Sequence, residues 1–360
     1  MGKRPPAQEE RLIQALQMVA PGTAIREGID NIVKGRHGAL LVFAEEERLK
    51  PLISGGIAID VPFAPMLLYE LAKMDGAILL NEAGTRILHA NVQLMPDARI
   101  WSQETGTRHR TAERVAKQID ALAISISAAR DVVTLYVGDI RYVLEPIRTI
   151  LDKADQALQT MEKFKIRFNN VADSLSLLEL RDAVTLHDVL NVLQRAEMVL
   201  VIAQLIEGYL IQLGAEGRLV ELQLEELLVN VRDERALVLA DYLPDINPVR
   251  LESARQALGS VPSDELLSLS RIAEALGFDS GEDALQKLVH PRGFRMLRKI
   301  PRLTEDVIDK VVCCFGELRR IMAASVEELA GIDGVGQARA EEIKAGLARL
   351  AESITMERRS

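Results

Sequence analysis

Cysteine is almost missing from this chain of 360 residues, and the only two, Cys313 and Cys314, are adjacent. Neighbouring cysteines close a disulfide only under strain, and no third cysteine offers either of them another partner. A reducing, cytoplasmic setting is therefore the expectation, with both thiols read as core in an apolar helical stretch. Also missing is the apolar stretch of a secretory signal, since MGKRPPAQEERLIQAL runs from a basic pair into acidic residues. The apolar runs are short: Met198 to Ala203 is soon ended by Gln204 and Glu207, well below the roughly 20 residues needed to cross a bilayer. No membrane span and no membrane partner are expected. No repeat at a solenoid period occurs, and no low-complexity tract beyond the charged ending Glu-Arg-Arg-Ser. His37, His89, His187 and His290 lack metal-ligand spacing and read as surface or satisfied core histidines.

What is present describes a folded, multi-domain protein. Hydrophobic residues make up 48% and charged residues 27%, enough apolar surface to fold nearly the whole chain. At roughly 100–200 residues per domain, the length calls for two or three domains. The net charge of -9 looks wrong for a nucleic-acid binder until it is apportioned. Residues 150–285 hold 24 acidic and 12 basic side chains, residues 1–149 are balanced, and residues 286–360 carry a small positive excess. The acidity belongs to the middle.

Residues 11–150 alternate between two periods. Helix-like segments run from Arg11 to Met18, from Ala64 to Met74 and onward from about Thr107; strand-like runs cover Ala39–Phe43, Ala77–Leu80, Thr85–His89, Ala121–Ile126 and Val132–Val137. This predicts an α/β domain with a mixed sheet. From Val143 to about Leu239 apolar residues recur three and four apart, as in packed helices. Gly214 and Gly217 interrupt the run, and Leu243-Pro-Asp-Ile-Asn-Pro248 breaks it, because proline lacks a donor and restricts the residue before it. The Leu and Met stripes across 178–213 read as bundle core.

Two segments carry candidate chemistry. In Glu104-Thr-Gly-Thr-Arg-His-Arg-Thr-Ala-Glu-Arg114 a glycine turn opens a helix and two arginines flank a histidine. Backbone N–H groups, threonine hydroxyls and arginine forks at a helix start suit phosphate. Taken alone, the segment is equally a solvated, capped and basic helix end. In Lys73-Met-Asp-Gly-Ala77 an aspartate and a glycine precede a buried-looking strand, where α/β folds gather ligands. The aspartate there can hold Mg²⁺ or Mn²⁺ against a triphosphate or help deprotonate a ribose hydroxyl, and the glycine admits a base or sugar. Alone, Asp-Gly is also an ordinary turn.

Together, in this order and this α/β setting, the two segments resemble the paired Asp-Gly-Ala and Arg-His-Arg signatures of the diadenylate cyclase family, over roughly residues 10–145. The resemblance extends to the branch of that family in which a cyclase domain is followed by a helical spacer and a helix-hairpin-helix domain. It implies an α/β nucleotide-binding domain with a mixed sheet at 1–147, an all-α spacer at 148–287 and an all-α DNA-binding domain at 288–360. It also implies that two ATP molecules are condensed to cyclic di-AMP and pyrophosphate with Mg²⁺ or Mn²⁺. On this chain Asp75 would ligate the metal and activate the 3′-hydroxyl, and His109 would lie near the metal and the phosphates. Gly76 and Ala77 would line the nucleoside pocket, with Leu94 against the adenine. Arg108 and Arg110 would bind phosphate or brace the loop that does, Gly106, Thr107 and Thr111 would complete the phosphate cradle, and Ser127 and Arg130 would reach the triphosphate. Where some relatives carry further arginines, this chain has Ala128 and Ala129. One pocket per chain and two nucleotides per product require a twofold pair of cyclase domains, and the family implies an octamer.

Near the other end, Ser325-Val-Glu-Glu-Leu-Ala-Gly-Ile-Asp-Gly-Val-Gly-Gln-Ala-Arg-Ala-Glu-Glu-Ile343 reads as a capped helix, a glycine hairpin and a second helix. The turn Gly334-Val335-Gly336 resembles the helix-hairpin-helix motif, which grips DNA backbone without reading sequence. Arg339 and Lys344, with Arg298, Lys299 and Arg302 upstream, would add phosphate contacts. Ile300-Pro-Arg-Leu-Thr-Glu-Asp306 has a similar outline without the glycines and reads as a degenerate first hairpin. The family implies that branched DNA modulates the cyclase. Two other readings remain open on the sequence: a non-enzymatic binder of DNA structures with nucleotide as an allosteric ligand, and a nucleotidyltransferase that adenylates a different acceptor. A helical protein-interaction domain is the alternative for the C-terminal segment.

Overall fold

The computed structural model describes residues 6–127, 131–245 and 247–356. Its chain separates into two compact units, Met1–Asp155 with Glu207–Glu221, and Gln156–Ile206 with Leu222–Ser360.

The first unit begins with helices α1 (Pro6–Met18) and α2 (Ala24–Lys34) and strand β1 (Ala39–Phe43). After these come α3 (Glu46–Leu49), β2 (Ile53–Ser54), β3 (Ile57–Pro62), α4 (Pro65–Leu71), β4 (Ala77–Leu80) and β5 (Arg86–Leu94). The unit continues through α5 (Thr107–Ile119), β6 (Leu122–Ser127), β7 (Val132–Val137) and β8 (Ile140–Val143). The strands form one mixed sheet in the order β2-β5-β4-β1-β6-β7-β8, with β3 also on β5. Among the described residues β1 and β4 pair parallel and the other strand pairs are antiparallel.

Strand alternation sorts the sheet's side chains onto two cores. One face packs Leu41, Ile78, Ile124 and Leu135 against α1, α2 and α4. The other packs Leu40, Val42, Ala77, Leu79, Ala123 and Tyr136 against Ala112, Val115 and Ala116 of α5. The central strand β1 is buried at every position, the pattern expected of a strand covered on both faces.

The helical remainder consists of α6 (Ile147–Leu180), α7 (Leu186–Leu213), α8 (Arg218–Leu228), α9 (Val231–Tyr242), α10 (Pro248–Gly259), α11 (Leu269–Leu276), α12 (Glu282–Leu285), α13 (Phe294–Arg298), α14 (Glu305–Phe315), α15 (Leu318–Ala323), α16 (Val326–Ala330) and α17 (Gln337–Met356). The predicted interruption at Gly214 and Gly217 is a 3-10 turn over those four residues. By length and composition alone the stretch Leu186–Tyr242 contains an 18-residue window, of mean hydropathy 1.7, apolar enough to cross a bilayer. Short runs read one at a time did not reveal it, because isolated polar residues break each run without lowering the average. Val189, Leu190, Leu193, Ala196, Val199 and Ile206 are nevertheless buried within the protein, at the three- and four-residue spacing of a packed helix face.

Both cysteines are exposed and free, which corrects their reading as core. Helix α14 buries Val307, Ile308, Val311 and Val312; at about 100° per residue that stripe leaves position 313 on the far side, while Cys314 lies at the stripe's edge in the last turn before the helix ends at Phe315.

The second unit contains a buried polar junction centred on Arg295, whose residue is 1% exposed. Its guanidinium pairs with Glu179 and Glu234, donates to Ala172 O at 3.1 Å and reaches Ser176 Oγ at 3.3 Å. Tyr242 donates to the other Glu179 oxygen at 2.7 Å. Asp241 caps α13, accepting from the backbone N–H groups of Gly293, Phe294 and Arg295 at 2.7, 2.8 and 2.9 Å. Burial, followed by the Glu179 carboxylate, pushes Asp241 up to about 7, against the backbone bonds that pull it down. A carboxyl whose pKa is raised on folding takes up a proton; its contribution is complete below the ordinary value of 3.8 and is lost as pH rises through about 7. The urea midpoint should therefore fall between about pH 4 and about pH 7, and Asp241→Asn should flatten that slope. An unchanged slope in the folded variant would mean that another group titrates.

Candidate functional site

Register brings the predicted residues of the first unit to one end of the sheet. β4 runs parallel to β1 with Leu41 opposite Ile78, so Asp75 and Gly76, just before β4, stand beside the chain entering β1. β6 runs antiparallel with Ala39 opposite Ile126, which puts Ser127 at the same end. In β5, Val92 lies opposite Ala77, so Leu94 falls there too. Helix α5 turns into β6 through Asp120, which has a left-handed φ of 49°, and therefore starts at the end where β6 finishes. Contact proves the placement: a side chain on Gly38, just before β1, would collide with the Arg108 guanidinium.

Local chemistry explains why each part holds its shape. A Cβ on Gly76 would run into the backbone of Asn91 and Val92, where β5 bulges and Asn91 adopts a positive φ of 54°. Glycine at position 76 is required by that close strand approach as much as by any ligand. Ala77 and Leu94 are buried beneath α5, whereas Asp75 is exposed in its turn.

Helix α5 begins at Gly106, which offers no side-chain cap, and its first turn holds no acidic residue. Its leading N–H groups have no intrahelical acceptor, and the dipole adds positive potential at that end. Gly106 and Thr107 are exposed, and Arg108, His109, Arg110 and Thr111 half-buried. Arg110 donates to Thr105 O at 2.9 Å, bracing the approach loop.

The remainder of the motif holds that loop down. Glu113 accepts from Ser102 Oγ at 2.5 Å, from Gln103 N at 3.2 Å and from Lys117 at 2.8 Å. Arg114 donates to Ile100 O at 2.9 Å. Burial works to raise the Glu113 carboxyl, but Lys117, Ser102 and the Gln103 N–H outweigh it and leave it below its ordinary value. The long sequence signature thus divides into a ligand-facing start and a loop-anchoring end.

Three participants are absent from the sequence reading's site: Tyr136, Glu104 and Arg141. His109 Nδ1 lies 3.0 Å from the Tyr136 hydroxyl, which donates to Glu104 Oε1 at 2.8 Å; Arg141 Nε meets the same oxygen at 2.5 Å. The available signal was a tyrosine inside a buried strand, which must find a partner for its hydroxyl. Ser127 ends β6 half-buried. Arg130, with Ala128 and Ala129, lies outside the described residues.

Among the described residues no group of three or more His, Cys, Asp or Glu converges to hold a metal ion. An exposed carboxylate such as Asp75 suits a cation whose other ligands are phosphate oxygens and water, as Mg²⁺ prefers.

In the second unit the short helix α16 is joined through a glycine turn to α17. Ser325 and Glu328 form a capping box, with bonds of 2.8 and 3.1 Å. Gly334 has a positive φ of 80°, Val335 is buried at 1% exposure, and Gly336 leads into α17. Arg339 donates to Gly334 O at 2.7 Å and Lys344 to Met322 O at 2.6 Å, so both support the hairpin's shape. Lys299 donates to Ser176 Oγ at 2.7 Å, and Arg298 pairs with Glu305 at 2.9 Å. In the upstream turn, Arg302 takes a left-handed φ of 67° where glycine would serve.

Comparison with known proteins agrees with this architecture. The family model for the nucleotide-binding domain of the DisA bacterial checkpoint controller matches residues 26–140, and that for its linker region matches residues 144–285. The DNA integrity scanning protein DisA of Kineococcus radiotolerans is 46% identical over 351 residues, 97% of this chain and 98% of that one. The protein of the same name from Carboxydothermus hydrogenoformans is 47% identical over 347 residues, 96% of this chain and 98% of its own length. That from Clostridium perfringens is 43% identical over 348 residues, 97% of this chain and 98% of its own. With nucleotide-binding domain, linker and full length all matched, the chain belongs to the DisA family.

Proposed function

We propose that the chain is a diadenylate cyclase that condenses two ATP molecules into cyclic di-AMP and two pyrophosphates. One observation carries the reading: strand register brings Asp75 and Ser127 to one sheet end, beside the start of α5, where Arg108 abuts Gly38 and the first turn, with His109, holds no acidic residue. The triphosphate would lie against the leading N–H groups of α5, with Thr107, Thr111 and the arginines meeting its oxygens. The nucleoside would lie over Gly76, Ala77 and Leu94. Asp75 would accept the proton of the attacking 3′-hydroxyl while the α-phosphorus–oxygen bond to pyrophosphate breaks in line. Mg²⁺ or Mn²⁺ held by Asp75 and His109 would, when bound, neutralise charge on the phosphate oxygens.

Each chain supplies one such site, so the head-to-tail meeting of two nucleotides calls for two facing cyclase domains, arranged within an octamer. The labour divides as 1–147 for catalysis, 148–287 as spacer and 288–360 for DNA. The capped hairpin at Gly334–Gly336 would hold DNA backbone by its N–H groups, with Arg339 and Lys344 beside it, and branched DNA would modulate the cyclase. A titration of branched against linear duplex DNA tests this. Branched DNA should change turnover at concentrations where linear duplex does not; equal effects of both, or none from either, would remove the DNA arm of the proposal. A linear or polymer-linked AMP product would replace the cyclase reading with adenylation of another acceptor.

A further inference from the structure

His109 packs edge-on against Tyr136, with ring centroids 6.3 Å apart and Nδ1 at 3.0 Å from the phenol oxygen. A phenol has one hydrogen, and that of Tyr136 is directed to Glu104 Oε1 at 2.8 Å. An ionised carboxylate only accepts, so the bond cannot run the other way. Towards His109 the phenol oxygen must then act as acceptor, which puts the ring's proton on Nδ1 and, in the neutral ring, the lone pair on Nε2. Arg141, salt-bridged to Glu104, holds the arrangement from behind. Burial works to raise Glu104, but Tyr136, Arg141 and the His109 ring outweigh it and keep it below its ordinary value. Burial and Glu104 push Tyr136 up, so the phenol stays protonated.

β1 and β6 carry no titratable side chain, Tyr136 is the only one on β7, and Arg108 and Arg110 share the first turn of α5 with His109. We infer that Tyr136 and Glu104 are positioning residues that fix His109 with its proton on Nδ1, and that Arg141 holds Glu104 in place for them. The catalytic consequence rests on the cyclase reading; the protonation geometry does not.

The test uses the full chain with Glu104→Gln and Tyr136→Phe. Tyr142→Phe is the control, because its hydroxyl donates to Gln212 at 2.6 Å and takes no part in the relay. Nitrogen-15 NMR of ring-labelled histidine in the neutral imidazole reads which His109 nitrogen carries the proton, without requiring turnover. In the unaltered chain Nδ1 should give the resonance of a protonated nitrogen and Nε2 that of a bare one, and loss of the carboxylate, or of the acceptor it orients, should shift the ring towards mixed tautomers. Turnover should fall roughly 10- to 100-fold with KM for ATP unchanged. Tyr142→Phe should move neither. An unchanged tautomer in folded Glu104→Gln overturns the inference, and so does an altered tautomer with normal kcat. If Tyr136→Phe fails to fold, the near-isosteric Glu104→Gln decides alone. If the unaltered chain makes no cyclic dinucleotide, the cyclase reading falls and the nitrogen measurement still decides the relay.

Discussion

Asp75→Asn should abolish cyclic di-AMP formation, by on the order of 10²- to 10⁴-fold, and leave the folded protein and its DNA binding unchanged. The carboxylate is exposed in the turn before β4 and, among the described residues, makes no hydrogen bond or ion pair that the fold would lose. An exposed, isosteric substitution away from caps and cores costs within about 0.5 kcal/mol. What it removes is the negative charge, and with it the group able to accept the hydroxyl proton and share a cation with the triphosphate. Turnover, thermal midpoint and DNA affinity measured on the same preparation separate these effects. Near-normal turnover in a folded variant would take Asp75 out of the site.

Arg295→Met should destabilise the second unit by about 3–5 kcal/mol. Methionine keeps an unbranched apolar stem but none of the donors, so Glu179, whose side chain is fully buried, would lose the guanidinium that compensates it. Glu234, Ser176 and the Ala172 carbonyl would lose donors at the same time. The cost comes from the stranded carboxylates more than from the pair's own attraction, so adding Glu179→Leu and Glu234→Leu should recover part of it. Urea denaturation measures both variants. A loss under about 1 kcal/mol in the single variant would mean that water or local rearrangement satisfies the carboxylates. The junction binds the cap of α13 to α6 and α9 within one unit; loosening it is also the most direct way to disturb the hairpin domain without touching its surface.

The α/β pattern was legible in the strands that are buried along their length. β4 and β7 fall on the apolar runs Ala77–Leu80 and Val132–Val137, and β1 on Ala39–Phe43. β3 was not legible, because its residues alternate between exposed and half-buried and its partner β5 bulges. β2 is two residues long, too short for any period to register, and β8 buries only the first of its four residues. The amphipathic α2 was passed over, though Ile25, Ile29 and Ile32 make a buried stripe and Thr23 caps it.

At the site, the signature residues could be named because their types match phosphate chemistry at a helix start. The groups behind them could not, since Glu104, Tyr136 and Arg141 are drawn together only by the sheet's long-range pairing. Gly76 shows the same limit from another side. The sequence suggested room for a base or sugar, whereas the fold fills the space behind it with the β5 backbone.

The central claim is that two copies of this chain join two ATP molecules. Its most direct test is incubation of the purified full chain with ATP and Mg²⁺ or Mn²⁺, with products resolved by chromatography and mass spectrometry over a dilution series monitored by sedimentation. The account predicts cyclic di-AMP with two pyrophosphates per product, formed by associated chains and lost as they dissociate. Folded, associated, ATP-binding protein that yields no cyclic dinucleotide with either metal would contradict it, as would full activity in the monomer.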